Sequence, residues 1–437
     1  MADSSGFEAR LAAKDLTIGV VGLGYVGLPL AITYAEAGFT CIGADVDAER
    51  AASLNAGASH IEDVTSERVA AVLEAERFYA TADPQHLREA DVVFVCVPTP
   101  FDRAKTPDLS FVRAAIADVA AVLCPGMLIV LQSTTFPGTT TEVCQPILES
   151  AGLKAGVDFH LAFSPERVDP GNATWTVRNT PKVVGGVTAV SAERARAVLE
   201  AVMERPGLVT VLSSPAAAEM TKLFENTYRA VNIAMVGELA MLSHEMGLDI
   251  WEVVDGAATK PFGFQPFYPG VGPGGHCIPV DPYYLSWRAR EFDFQTKFIE
   301  LAADTNLRMA HYVTKRVQDF LNRSGHPLRG ARVLALGASF KPGVSDVRNS
   351  RAVRVMELLE EGGAMVSYAD PHVASVTVGG RARKAVELSD GLPAADIVVV
   401  LVGHQNWPME TILQSGTPVF DAVNATAGFA TAHVERL

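Results

Sequence analysis

The 437-residue chain has no apolar run long enough to cross a bilayer. Its longest stretches, VVFVCV at 92–97 and IVVVLV at 397–402, are strand-sized and far short of the roughly 20 residues that a membrane helix needs. The opening MADSSGFEAR has no basic segment followed by an apolar stretch, so no secretory signal is visible. Cysteine is scarce as well: five residues, at 41, 96, 124, 144 and 277, form an odd set without CxxC or His-rich spacing. That pattern offers no zinc site, implies no metal, and suits a reducing, cytoplasmic compartment. Positive charge is in deficit, with 36 Lys and Arg against 50 Asp and Glu and a net charge of −14. No overall field exists to hold nucleic acid or an anionic membrane, and an anionic small ligand would need a local site of backbone amides and placed cations.

What is present is a globular composition, 49% hydrophobic and 20% charged, which excludes disorder for the bulk of the chain. At roughly 100–200 residues per domain, the length predicts two or three domains. Residues 16–47 combine an apolar run, a glycine turn, a helical stretch to Ala37 with Gly38 as its stop, and a second apolar run ending in Asp45. This is a βαβ unit. Strand patterns at 91–97 and 127–132 extend it into an open parallel sheet with helices on both faces. From Ser214 to about Met246 helix formers predominate, predicting one long helix. A Gly/Pro-rich loop at 261–282, a helical stretch at 294–322 and a boundary at Gly325, Pro327 and Gly330 follow. The remainder repeats the opening in outline: ARVLALG matches the first strand, MVSYAD the second with its terminal Asp370, and AADIVVVLV matches EADVVFVCV. The expected fold is α/β, two Rossmann-like doubly wound domains joined by a long central helix. The domain limits are 1–212, 213–324 and 325–437. The second copy reads Gly337-Ala338-Ser339-Phe340-Lys341 and lacks the glycine fingerprint, so it should bind something other than a dinucleotide.

Gly22-Leu23-Gly24-Tyr25-Val26-Gly27 follows a strand and opens a helix, and Asp45 stands at the tip of the next strand. Glycines there let the backbone approach a pyrophosphate, the helix N-terminus supplies amides, and Asp45 can accept hydrogen bonds from a ribose. A carboxylate at 45 repels a 2′-phosphate and favours NAD over NADP; Arg50 is the counter-signal. Cys277 departs from the other cysteines, because it lies in a Gly-rich loop and not in an apolar pattern. Its residue type leaves two readings open, nucleophile or inert loop cysteine. His276 reads as structural. Lys222, Asn226 and Arg229 share a helix face, which is either solvated or turned toward an anion. Glu166 and Arg167 leave an apolar run through a Ser-Pro turn and read either as a surface ion-pair loop or as part of a site.

These segments together resemble the UDP-glucose/GDP-mannose (nucleotide-sugar) dehydrogenase family over essentially the whole chain. The motifs that carry the resemblance are VGLGYVGLPLA, CVPTP at 96–100, QSTTFPGTT at 132–140, FSPERVDPGN at 163–172, the Lys222/Asn226 helix, GPGGHCIPVDP at 272–282 and FKPGVSDVRNS at 340–350. The resemblance implies an N-terminal NAD domain, a central helix used in forming a homodimer or higher homo-oligomer, and a C-terminal domain that helps hold a UDP-sugar. It also implies a four-electron oxidation of a sugar C6 hydroxyl to a carboxylate. Carried over by motif, Cys277 is the nucleophile, Lys222 and Asn226 stabilise negative charge on the C6 oxygen, Asp281 and Thr134 position a water, and Glu166 is a base or water activator. Gly22, Gly24, Tyr25, Val26, Gly27, Asp45, Arg50, Pro98, Thr99, Thr134 and Arg348 match cofactor positions. Arg167, Lys222, Asn226, Phe267, Gly274 and Lys341 match the substrate side, with Lys341 a diphosphate contact.

Members acting on UDP-glucose are expected to carry Lys where this chain has Val280, and Arg where it has Pro261. The segment from Thr259 to Leu285 looks closer to the branch that oxidises UDP-N-acetylhexosamines, UDP-N-acetylglucosamine in particular. UDP-glucose and UDP-N-acetylmannosamine remain the alternatives. Gly237 stands where many members have Asn. A two-electron β-hydroxyacid dehydrogenase would need neither the cysteine nor a second α/β domain, and a non-enzymatic NAD-binding protein would need no intact Cys277, Lys222 and Asp281. With Asp45 facing the ribose, kcat/KM should be much higher with NAD than with NADP. Comparable efficiencies with the two cofactors would remove that role from Asp45.

Overall fold

The computed structural model describes residues 4–102, 105–169, 171–172, 174–429 and 433–437. The chain divides into two compact units, Met1–Glu225 with Trp287–Phe292 and Asn226–Ser286 with Asp293–Leu437. In the first, β1 (Thr17–Val21), β2 (Thr40–Ala44), β3 (Phe78–Thr81), β4 (Val92–Val95), β5 (Leu128–Leu131), β6 (His160–Phe163), β7 (Lys182–Gly186) and β8 (Val209–Leu212) form one sheet. The spatial order is β3-β2-β1-β4-β5-β6-β7-β8. Neighbours pair parallel, as in β1 with Thr17 opposite Thr40 and Val21 opposite Ala44, except that β6 and β7 run antiparallel. The continuous apolar runs of β4 and β5 are buried throughout, as strands covered on both faces must be. Strand order reverses between β1 and β4, so the loops leaving their C-terminal ends open a crevice where such sheets bind ligands.

In the second unit, β9 (Arg332–Leu336), β10 (Met365–Ala369), β13 (Ile397–Val400), β14 (Val419–Asp421) and β15 (Val434–Arg436) form a parallel sheet in the order β10-β9-β13-β14-β15. A separate antiparallel hairpin joins β11 (Ser375–Val378) to β12 (Arg381–Lys384). The duplication extends to individual hydrogen bonds. Gly22 and Gly337 both have positive φ, +88° and +97°. Each donates its N–H to the last carbonyl of the neighbouring strand, Ala44 at 2.8 Å and Ala369 at 2.9 Å. Asp91 and Asp396 each accept the N–H that opens the first strand, Thr17 at 2.9 Å and Arg332 at 2.8 Å. The fold class expected from the sequence is borne out.

The long helix spans Pro215–Glu245. Proline fits its first position, where an N–H would have no intrahelical partner. Helix Lys297–Arg323 packs on its second half through Asn306, whose Nδ2 donates to the Ala230 carbonyl at 2.9 Å. Gly237 faces the same helix: a Cβ there would lie 2.9 Å from Met309 Sδ. A side chain at 237 would require the flexible Met309 side chain to move aside. No helix among the described residues is long and apolar enough to cross a membrane.

Two glycines of the fingerprint do different work. A Cβ on Gly27 would stand 1.8 Å from the Gly22 carbonyl oxygen, whereas one on Gly24 meets no atom within 4 Å. Gly27→Ala should therefore lose about 3 kcal/mol or more of stability, while Gly24→Ala stays within about 0.5 kcal/mol and weakens NAD binding. Urea unfolding and NAD titration of the two variants check this. Equal stability losses would mean that the helix-strand contact is not the reason for Gly27.

Candidate active site

In the first unit the glycine turn is shaped for a dinucleotide. A Cβ on Gly22 would sit 2.9 Å from the Cys96 carbonyl oxygen at the end of β4, and the space over Gly24 is open. Helix Gly27–Glu36 begins at Val26 with no side-chain cap, which suits its amides to a phosphate. Asp45 is buried and accepts the N–H of Leu23 at 2.8 Å and of Asp47 at 3.0 Å. Arg50 Nη1 bridges both Asp45 oxygens at 2.9 and 3.1 Å. The Arg expected as a counter-signal thus neutralises Asp45 here. Tyr25 is exposed, Thr99 buried and Pro98 exposed at the mouth of β4, and Thr134 is half-buried beyond β5. These residues and this open turn fit NAD.

Glu166 and Arg167 do not pair with each other. Glu166 receives the Lys182 ammonium at 3.1 and 3.3 Å, with the two side chains only 10% and 1% exposed. Burial pushes the Glu166 carboxyl up, but the Lys182 charge and the N–H groups of Val168 and Arg167 outweigh it and hold the carboxyl below its ordinary range. Arg167 turns instead to Glu225, 2.6 Å away, and to the Pro181 carbonyl at 2.7 Å. On the long helix Lys222 is buried, and its ammonium has no hydrogen-bond or ion-pair partner among the described residues. One turn earlier, buried Glu219 accepts the N–H of Gly138 at 2.6 Å and the N–H and Oγ1 of Thr140 at 2.8 and 2.7 Å. It ties the segment following Thr134 to the helix.

In the second unit, Asn226 is buried one turn beyond Lys222, and Arg229 is exposed. The solvated-face reading therefore holds for Arg229 and fails for Lys222 and Asn226. Asn226 Nδ2 donates to Asp281 Oδ2 at 2.5 Å, and the Asp281 N–H donates to the Cys277 carbonyl at 2.8 Å. Asp281 opens helix Asp281–Ala289. Of the five cysteines, Cys277 alone is exposed. Burial pushes the Cys41 and Cys96 thiols far up and Cys144 up to about 12. His276 is lowered by burial and by Arg348, consistent with a neutral structural ring. Phe267 packs its ring edge on Tyr228, centroids 5.9 Å apart. Gly274 admits no side chain, since a Cβ would lie 2.9 Å from Phe340 Cβ. Arg348 is ion-paired to Asp346 at 2.6 Å, and its carbonyl accepts the Gly275 N–H at 3.0 Å. Lys341 is half-buried in the adjoining loop.

Lys182 and Glu219 escaped the sequence reading because each is a lone charge in an apolar or helical pattern. Only strand pairing and helix docking reveal their partners.

A duplicated α/β frame with a glycine turn that fits NAD defines the class, an NAD-binding dehydrogenase fold with a second α/β domain. The chain belongs to the UDP-glucose/GDP-mannose dehydrogenase family: residues 16–203 match its NAD binding domain, 216–308 its central domain and 334–427 its UDP binding domain. It is 38% identical to the UDP-N-acetyl-D-glucosamine 6-dehydrogenase of Pseudomonas aeruginosa over 83% of this chain and 84% of that protein. It is 34% identical to the UDP-N-acetyl-D-mannosamine dehydrogenase of Pyrococcus horikoshii over 89% of this chain and 90% of that one. The solved structure of a UDP-D-ManNAc dehydrogenase from P. horikoshii superposes with a TM-score of 0.87 at 32% identity, covering 96% of this chain and 99% of that one.

The Glu166–Lys182 pair has a pH signature. A carboxyl held below its ordinary value stabilises the fold fully above about pH 4.3, and that contribution is lost as pH falls through the lowered native value. Lys182→Met leaves the buried carboxylate unpaired at a cost of about 3–5 kcal/mol, and burial then raises its pKa. The variant should be more destabilised at pH 8 than at pH 5 in urea unfolding. A loss independent of pH would assign it to packing.

Proposed function

We propose that the protein is a UDP-sugar 6-dehydrogenase that oxidises a C6 hydroxyl by four electrons through covalent capture on Cys277, with UDP-N-acetylglucosamine as the sugar nucleotide. The observation that carries the reading is the exposed Cys277 thiol in a loop whose backbone is bonded to Asp281, itself held by Asn226 from the Lys222 helix. Gly22, Gly24, Tyr25, Val26, Gly27, Asp45, Arg50, Pro98, Thr99 and Thr134 would hold NAD, which would supply the hydride acceptor, and Arg348 is assigned to the cofactor by its motif. Lys222 and Asn226 hold the negative charge that develops as the hydroxyl loses its proton. Cys277 Sγ adds to the resulting aldehyde as a thiohemiacetal; its oxidation to a thioester would need a second NAD as acceptor of the second hydride, and one water cleaves the thioester to the carboxylate and the thiol. Glu166, ionised at neutral pH, accepts a proton from the hydroxyl or the water, and Asp281 and Thr134 position that water.

Arg167, Phe267, Gly274 and Lys341 form the substrate side of this reading, with Lys341 on the diphosphate. The named function of the P. aeruginosa relative supports the N-acetylglucosamine nucleotide, as do Val280 and Pro261 against UDP-glucose. The P. horikoshii relatives support the mannosamine epimer as second choice. Tyr228, Met235, Leu239, Leu242 and Met246 are exposed on the long helix and just past its end, which supports a homodimer or higher homo-oligomer. Five cysteines in an odd set without CxxC spacing support a cytoplasmic compartment.

Exhaustive oxidation should yield two NADH per sugar and a uronic acid, fastest with UDP-N-acetylglucosamine in a panel with UDP-glucose and UDP-N-acetylmannosamine. Cys277→Ala should slow uronate formation by on the order of 10³-fold or more and leave NAD binding and folding nearly intact. Lys222→Ala should cost about 10²–10³-fold, and the two losses should not add when combined, because both groups serve one transition state. A Cys277→Ala enzyme that still makes uronic acid at near wild-type rate would falsify the covalent route.

A further inference from the structure

The second unit carries a buried ionisable cluster that the proposed chemistry does not use. At the C-terminal ends of β9, β10 and β13, Asp370 and His404 lie with their side chains 0% and 1% exposed. Asp370 occupies the place that Asp45 has in the first unit. Its Oδ2 accepts the N–H of Ala338 at 2.7 Å, directly after the turn glycine, as Asp45 accepts that of Leu23 at 2.8 Å. Its other oxygen takes the N–H groups of His372 and Val373 at 2.8 and 3.0 Å. Arg50, the group closing Asp45, is partly exposed; His404, closing Asp370, is sealed.

The ring of His404 is polarised by its two partners. Nδ1 lies 3.1 Å from the backbone N of Gly343, and a donor there must meet a lone pair. The ring proton therefore sits on Nε2, 3.2 Å from Asp370 Oδ2. Ser339 Oγ approaches the same Nε2 at 3.4 Å but donates to the Lys341 carbonyl at 2.8 Å. A hydrolase-type relay needs serine and aspartate on opposite ring nitrogens, so this cluster is not a nucleophilic triad. What it does hold is the loop from Ser339 to Gly343, fixed at the Lys341 carbonyl by Ser339 and at the Gly343 N–H by His404. Phe340 in that loop lies against Gly274 and Gly275, where a Cβ would meet it at 2.9 and 3.0 Å. The same residues therefore set the backbone just ahead of Cys277.

We propose that His404 is a positioning residue whose Nδ1 anchors the Ser339–Gly343 loop for the nucleotide diphosphate, while its Nε2–H bond to Asp370 serves only to orient the ring. The proposal rests on the reading of Lys341 as a diphosphate contact. The ring's two bonds can be separated. His404→Asn places an amide oxygen near the Nδ1 position and loses the reach to Asp370; His404→Gln reaches Asp370 and abandons Gly343.

The test measures hydrogen exchange of the 338–345 segment, UDP affinity by calorimetry, urea stability, and KM and kcat for the UDP-sugar on each variant of the full chain. His404→Gln should lose protection of the loop, bind UDP about tenfold more weakly and raise KM more than it lowers kcat, with near wild-type stability. His404→Asn should keep loop protection and UDP affinity and lose stability. A merely structural histidine would move affinity and stability together in both variants, and that outcome overturns the proposal. So does a His404→Gln loop as protected as the wild type. If the wild-type loop is protected through His404 and yet the protein binds no UDP, the anchoring stands and the diphosphate reading of Lys341 falls.

Discussion

The bond between a strand-tip carboxylate and the amide that follows a turn glycine is the constraint on which both units depend. A parallel sheet buried on both faces ends in backbone amides that need acceptors, and leaving them unmet costs more than a formed bond contributes. Asp45 and Asp370 supply those acceptors, and in doing so they fix where the glycine turns stand above the sheets. Every functional group of the first unit's cofactor crevice, and the Lys341 loop of the second, is placed relative to those turns. The two closures differ in kind. A partly exposed guanidinium over Asp45 can leave it at modest cost, because its charge remains solvated when the pair opens. A sealed imidazole over Asp370 has no such route to solvent. One duplicated scaffold thus closes the same carboxylate with a partly exposed guanidinium in one copy and with a sealed imidazole in the other.

Much of this was legible in the sequence where local period and turn chemistry agree. The βαβ unit at 16–47, the repeat of its outline after residue 331, and the long helix all follow from hydrophobic spacing punctuated by Gly and Pro, and the structure has each of them. The helix face of Lys222, Asn226 and Arg229 shows the limit. Spacing puts the three on one stripe, but burial of the first two and exposure of the third depend on what docks there, which spacing does not encode. Glu166 and Arg167 show it again. Adjacent charges of opposite sign suggest a pair, yet the partners come from elsewhere: Lys182 from β7, Glu225 from the long helix. Gly237 meets the Met309 side chain only once the partner helix is in place.

The two buried lysines divide along a physical line. Lys182 is neutralised by Glu166, so its burial is compensated, and the pair keeps the carboxylate ionised at neutral pH. Lys222 is buried without a partner among the described residues. Its Nζ is not among the buried side-chain nitrogens that lack a partner, so the alkyl stem is covered while the ammonium keeps contact with solvent. The same stretch is held by its neighbours: Glu219 accepts from the Gly138–Thr140 turn on one side and Asn226 donates to Asp281 on the other. Charge is thus compensated by a carboxylate at Lys182 and by water at Lys222, and only the second arrangement leaves an ammonium that an anion can reach without first displacing a protein carboxylate.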